Sequence, residues 1–264
     1  MPIERRRSMV GGKVAVGYRG CTMPELPEVE TVRRGLHRHI AGETVEFVEI
    51  RHLGILEGGG AERFEALAGS KFVSVDRRAK YLLLRLGGDG GQRTVVVHLG
   101  MTGQLTWKAR DQETTDVFRR LVSGYRKSAG PHPIDTHTHM VVRCESGGTL
   151  LFRDPRRFGR ILLLEGHGDG NCQRLEKLGP DAWRLDHAEM AGRLRACAGK
   201  RSVKAVLLDQ TVVAGIGNIY ADEACFASGI RPSRILSSLP GHRVAALARA
   251  IDEVLEKGVR NAGT

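Results

Sequence analysis

Apolar side chains recur at Val29, Val32, Leu36 and Ile40, three, four and four residues apart, with Arg33, Arg34 and Arg38 between them. That spacing predicts a helix from Pro27 to about Ile40 with one apolar face, and leaves the arginines for solvent or phosphate. Downstream the period shortens. Apolar runs at Thr44–Ile50, Lys71–Val75, Tyr81–Leu86, Thr94–Leu99, Thr138–Arg143, Thr149–Phe152 and Arg160–Leu164 are divided by Gly, Asp and Ser, the pattern of short strands in a β-sandwich. After Glu165 a Gly- and Asp-rich stretch reads as a linker. The remainder has helical period, with candidates at Asn171–Leu178, Asp186–Cys197, Lys200–Leu208, Asn218–Ser228 and Pro240–Lys257. The expected architecture is α+β, with a sandwich and flanking helix over residues 23–168 and a helical domain over 169–264. Residues 109–134 carry mixed charge without strand period and read as an insertion of loops and a short helix.

Composition narrows the partner. A chain of 264 residues with 41% hydrophobic content can bury two cores. Its 41 Lys and Arg against 30 Asp and Glu leave a net charge of +11, which favours a polyanion, nucleic acid before an anionic membrane surface. A solvated basic surface is the plainer alternative. The five cysteines (Cys21, Cys144, Cys172, Cys197, Cys225) form no CxxC pair, so they read as reduced thiols of a cytoplasmic protein rather than a disulfide frame or zinc site. No apolar run is long enough to span a membrane. His132, His137 and His139 lie close together in sequence, but as part of a strand entry they make a weak metal candidate.

The most informative chemistry is at Met23-Pro24-Glu25-Leu26-Pro27-Glu28-Val29-Glu30. Pro27 and the acids suit the first turn of a helix, which leaves Pro24 and Glu25 unexplained. If translation starts at Met23 and the methionine is removed, Pro24 carries a free secondary amine. An α-amino group of pKa about 8 is roughly a tenth neutral at pH 7, against about one lysine in a few thousand. Such an amine is a ready nucleophile for a sugar or carbonyl carbon, with Glu25 and Glu28 beside it to move protons and position it.

The segment MPELPEVETVRRGL (Met23–Leu36) resembles the N-terminus of the formamidopyrimidine-DNA glycosylases, bacterial repair enzymes that excise oxidised purines. The likeness continues through Arg77-Arg78-Ala79-Lys80-Tyr81, His98-Leu99-Gly100-Met101-Thr102-Gly103, Asp154-Pro155-Arg156-Arg157-Phe158-Gly159 and the stretch from Asp209 to Tyr220. It implies a β-sandwich followed by a helix–two-turn–helix domain. The activities implied are those of a glycosylase and abasic-site lyase acting on damaged double-stranded DNA as a monomer. Pro24 is then the nucleophile, with Glu25, Glu28 and Lys80 in the catalytic set. His98 and Asn218 become phosphate contacts, and Met101, Arg156 and Phe158 a wedge that fills the gap left by a flipped base. Lys204, Tyr220 and Glu223 match family positions with weaker roles.

Each motif has a plainer reading. Residues 77–81 form a basic edge hairpin, His98 is a hydrogen-bonded strand-end histidine, and DPRRFG is a basic turn with one buried aromatic. Gly215 and Gly217 open a helix whose N-terminus suits any anion, although neither GxxxxGK nor GxGxxG is present.

Two departures from the family pattern follow. Residues 1–22 are basic and Gly-rich; an upstream-assigned start codon explains them best, with a nucleic-acid arm or organellar presequence as alternatives. Thr264 falls before the family's CxxC…CxxC zinc finger. No cofactor is therefore assigned to this chain, and the family's zinc is expected only with a restored finger. Rival functions are an enzyme for oxidised pyrimidines, a non-catalytic DNA-binding relative and a small-molecule tautomerase.

Overall fold

The computed structural model describes residues 23–88, 90–110, 134–166, 172–197 and 199–263. The extension, most of the 109–134 insertion and His132 lie outside them. The first helix, α1 (Leu26–Ile40), starts where the sequence predicts. Glu25 is its N-cap, Pro27 sits in the first turn where no N–H is missed, and the Glu25 N–H donates to Glu28 Oε2 at 3.0 Å. Leu26, Val29, Val32, Leu36 and Ile40 are buried as one face.

Among the described residues nine strands follow in two sheets. β1 (Val45–Ile50), β7 (Thr138–Cys144), β8 (Thr149–Arg153) and β6 (Gln104–Lys108) form one, in that spatial order. β2 (Leu56–Glu57), β9 (Arg160–Glu165), β5 (Arg93–His98), β4 (Tyr81–Gly87) and β3 (Lys71–Arg78) form the other. Their inner faces enclose a core of Leu82, Leu84, Val95, Val97 and Ile161 against Leu105, Met140, Val142, Leu150 and Phe152, closed by the apolar stripe of α1. The outer face of the five-stranded sheet is also covered. Leu83, Val96 and Leu164 pack on Cys172 and Leu175, the latter from the short helix α3 (Gln173–Glu176), the next in chain order after the short helix α2 (Ala61–Glu65). Burial on both faces explains why β4 reads as a nearly unbroken apolar run rather than an alternation.

The second domain is helical: α4 (His187–Ala196), α5 (Val203–Leu207), α6 (Asn218–Ala227) and α7 (Gly241–Arg260). A separate core joins Met190 and Leu194 of α4, Val203 and Val206 of α5, Tyr220 and Ala224 of α6, and Val244, Leu247, Ile251 and Leu255 of α7. α4 begins at an Asp186 cap, whose carboxylate accepts from Ala188 N and Glu189 N at 2.9 Å.

Three sequence expectations change. β3 runs on to Arg78, because its edge ladder with β4 continues to the Arg78–Tyr81 pair. β6 was not anticipated; its five residues are too few for a clear period, and pairing with β8 supplies the order. Arg33 and Arg34 are committed to protein: both bond the buried Glu30 carboxylate, at 3.0 and 2.8 Å, and Arg34 also lies over the Trp183 ring at 5.5 Å. Among the described residues, no helix is long and apolar enough to cross a membrane.

Candidate active site and nucleic-acid interface

α6 opens at Gly217, which has no side chain to cap the helix. The cap comes from the other domain. Glu25, 2% exposed, turns its carboxylate into the first turn of α6. Oε2 accepts from Gly217 N at 2.6 Å and Tyr220 N at 3.3 Å, and Oε1 accepts from Ile219 N at 2.8 Å. Three helix N-terminal donors with the macrodipole behind them are a strong anion site, filled here by a side chain 192 residues away in sequence. The loop before it is held by Gln210, which donates to Ile216 O at 2.9 Å and accepts from Gly215 N at 2.9 Å. Leu26 N also donates to Gly215 O at 3.1 Å.

Glu28 faces the same helix. Its Oε1 accepts from the Tyr220 hydroxyl at 3.1 Å, so the two acids flanking the start of α1 are both tied to α6. Pro24 directly precedes Glu25 and is partly buried. Asn218, the first residue of α6, lies exposed beside the Glu25 contacts.

Lys80 arrives from the β3–β4 turn. The turn residue Ala79 has φ +53, a left-handed conformation that a non-glycine residue adopts at a cost of about 1–2 kcal/mol. Asp181 stabilises it, accepting from Ala79 N at 2.9 Å and Arg77 Nη1 at 2.6 Å, while Arg77 Nε reaches Glu30 at 3.1 Å. Arg78 donates to Leu178 O and Gly179 O. The predicted basic edge hairpin is thus a docking element for the helical domain. Its outcome is a half-buried Lys80 within the field of Glu25 and Glu28. Burial lowers the Lys80 pKa below the lysine range, against the pull of the two carboxylates. Burial likewise raises that of Glu25, against the α6 amides and the Lys80 charge.

His98 ends β5 directly opposite Tyr81, with ring centroids 4.8 Å apart. Gly100 N donates to its Nδ1 at 3.2 Å. Burial and the charges of Lys80, Arg174 and Arg160 push its pKa down to about 4, so at neutral pH the ring is neutral and its proton resides on Nε2. Beyond it the chain turns tightly through Met101, closed by Gly103 N donating to Leu99 O at 2.9 Å. Met101 is half-buried. The DPRRFG loop lies back to back with this turn: a Cβ on Gly100 would stand 2.6 Å from both Phe158 C and Gly159 N. Phe158 is 50% exposed, contrary to the buried aromatic of the plain reading, and carries the Arg156 guanidinium 4.8 Å above its ring.

The structure therefore gathers two groups from the sequence candidates. Pro24, Glu25, Glu28, Lys80 and Asn218 meet where the domains touch, and Met101, Arg156 and Phe158 stand together beyond His98. Sequence reasoning missed Asp181 and Asp154, and attached only a weak role to Tyr220. Lys204, another weak candidate, is paired with Asp222 at 2.8 Å, and Glu223 is exposed on α6. His139 is engaged with Asp154 O at 2.8 Å. Among the described residues no group of three His, Cys, Asp or Glu side chains is placed to hold a metal ion, and Cys144, Cys172, Cys197 and Cys225 are free.

Residues 23–161 match the model of the formamidopyrimidine-DNA glycosylase N-terminal domain, and residues 178–264 that of the H2TH domain of the same enzymes. The formamidopyrimidine-DNA glycosylase of Desulfitobacterium hafniense (strain DSM 10664 / DCB-2) is 40% identical over 245 residues, covering 92% of this chain and 80% of that protein. The enzyme of Moorella thermoacetica is 42% identical with the same coverage. Among solved structures, Lactococcus lactis Fpg (MutM) bound non-covalently to DNA with an AP site superposes with a TM-score of 0.75 and 28% identity, covering 91% of this chain and 82% of that one.

Proposed function

This chain belongs to the formamidopyrimidine-DNA glycosylase family, and from that premise we propose that it excises oxidised purines, 8-oxoguanine and formamidopyrimidines, from duplex DNA and then cuts the strand. The observation that carries this reading is the carboxylate of Glu25, buried at the N-terminus of α6 directly after Pro24, with the half-buried Lys80 close enough for each charge to shift the pKa of the other. The enzyme works as a monomer on damaged double-stranded DNA, in the cytoplasm, with steps that draw only on its own amine, carboxylate and ammonium groups.

With Pro24 terminal, its nitrogen bonds to sugar C1′ as the bond from C1′ to the base breaks, the base leaving with a proton. Glu25, whose raised pKa favours holding a proton, delivers one to the sugar ring oxygen, and the ring opens to an iminium between C1′ and Pro24. The iminium acidifies C2′. Loss of that proton expels the 3′ phosphate, a second elimination expels the 5′ phosphate, and water releases Pro24. Glu28, held by Tyr220, positions the terminus, and Lys80 adds positive charge near the reacting sugar. The Nε2–H of His98 and the amide of Asn218 serve as phosphate donors. Met101 and Phe158 replace the stacking of the flipped nucleotide, and Arg156 bonds the base left opposite.

The test is borohydride trapping on a duplex with 8-oxoguanine opposite cytosine, using protein beginning at Pro24. A covalent adduct is expected, formed more slowly by Pro24→Gly. No adduct, with DNA binding intact, would refute the catalytic reading and leave a DNA-binding relative. Phosphate contacts predict binding that weakens steeply with salt, and a flat salt dependence would count against the interface.

A further inference from the structure

The Met101 turn and the Arg156–Phe158 loop share a buried anchor. Asp154 is fully buried. Its Oδ1 accepts from the Thr102 hydroxyl, on the Met101 turn, and from Arg156 N at 3.2 Å; its Oδ2 accepts from Gly159 N at 2.7 Å. Thr102 Oγ1 in turn accepts from Arg156 N at 3.3 Å. The backbone of Asp154 is fixed from the far side. His139, itself 1% exposed, bonds its carbonyl oxygen through Nε2 at 2.8 Å, and Asp154 N donates to His137 O at 2.9 Å. Arg157 follows with φ +57, a left-handed conformation that persists only where the surroundings impose it.

An aspartate that merely closed its own turn would need the Arg156 bond and could stay in solvent. This one is buried and reaches 52 residues back to Thr102. Both loops are also in backbone contact at Gly100 and Gly159, so neither moves without the other.

We propose that Asp154 is a positioning residue: with Thr102 it locks the Met101 turn to the Arg156–Phe158 loop, so that three side chains enter the duplex as one rigid body. The inference rests on the wedge role given above. A wedge in two independent halves would have to be ordered at each insertion, and that ordering weakens the opening of a paired base more than any later step.

The test compares Thr102→Val, Asp154→Asn and Thr102→Ser in the full chain beginning at Pro24, with Met101→Ala as the control on the wedge itself. Two rates are read under single turnover: release of 8-oxoguanine from duplex opposite cytosine, and cleavage of a preformed abasic site in single-stranded DNA, which has no pair to open. Thr102→Val and Asp154→Asn should slow duplex excision about tenfold or more while single-strand cleavage stays within about twofold. Thr102→Ser should restore excision, and Thr102→Val should add no further loss to Met101→Ala. Equal slowing of both rates would show a merely structural role and overturn the proposal, as would normal excision by both Thr102→Val and Asp154→Asn where Met101→Ala is slow. Normal excision by Met101→Ala would refute the wedge, and the coupling with it.

Discussion

Gly217→Ala is the sharpest perturbation of the proposed proton-transfer site, because the added methyl group has one consequence. Gly217 has φ −125 and ψ −159, a conformation alanine adopts freely, so no backbone strain is introduced. A Cβ there would, however, lie 2.7 Å from Glu25 Cγ and 2.5 Å from Oε1. Carbon atoms settle at about 3.5–4.0 Å, so the Glu25 side chain must retreat by about 1 Å. That breaks its bonds to Gly217, Ile219 and Tyr220 and leaves those N–H groups unsatisfied, at about 1–3 kcal/mol for a buried donor. Part of this is returned as the carboxylate regains water: its raised pKa shows that burial outweighs the bonds it makes. A net loss of about 2 kcal/mol is expected, lowering Tm by roughly 4–8 °C. The rate should suffer more. A misplacement of about 1 Å at a reacting group costs up to about 100-fold, whereas phosphate contacts elsewhere keep DNA affinity within about threefold. Gly192→Ala is the control, since it lies within α4 with nothing within 4 Å of its Cβ and should stabilise by about 0.5–1 kcal/mol. Single-turnover excision, anisotropy and thermal melting are the assays. If Gly217→Ala excised within about threefold of the parent rate, the placement of Glu25 would not matter and the reasoning would fail.

Other consequences concern charge. His98 has its pKa lowered to about 4 from 6.5, so between those values the unfolded chain binds a proton that the folded chain refuses. Stability from this group is present above that window and lost as pH falls through it; His98→Gln should flatten the acid side of a urea-stability profile, and an unchanged slope would refute the assignment. Lys80 lowers the pKa of Glu25 through its charge, so Lys80→Met should move the Glu25 carboxyl titration, followed by carbon-13 NMR, to higher pH. A downward move would be incompatible with this geometry. Glu25 itself, with its pKa raised, contributes stability below the ordinary carboxylate range that is lost as pH rises through its folded value. Asp181→Asn weakens a partner of Arg77, whose side chain is only 7% exposed, and should cost about 1–3 kcal/mol in chemical denaturation. Loss of the Ala79 contact should also slow excision more than it weakens binding, and equal effects would argue against a role for the turn.

Much of this molecule is legible in order of sequence. Pro27 and the acids of the first turn announce α1, and the spacing from Val29 to Ile40 names its buried face. The strands are visible as far as local pattern reaches, and β6 is lost because its order comes from β8. The candidate residues Pro24, Glu25, Lys80, Met101 and Asn218 were found through motif likeness, since a proline beside a glutamate has no period to betray it. What stayed hidden are the partners. Arg33 and Arg34 look solvent-facing on a helical wheel, yet Glu30 on the same helix claims both. Asp154 and Asp181 read as turn acids until donors arrive from another part of the chain, the Thr102 hydroxyl for one and the Ala79 N–H for the other. Hydrogen-bond demand of this kind is set by which donors the fold leaves open.

The cap that Glu25 provides for α6 acts as an interlock. Ribosomes deliver the N-terminal domain first, and α6 begins about 190 residues after the acid that caps it. Until the helical domain is folded and docked, Glu25 has none of those amides and none of the burial that raises its pKa, and stands as an ordinary solvated carboxylate. Proton transfer of the proposed kind is then armed only by the domain to which the same proposal gives the Asn218 phosphate contact, so a half-made or pried-open chain would lose its acid at the same moment as that hold on DNA.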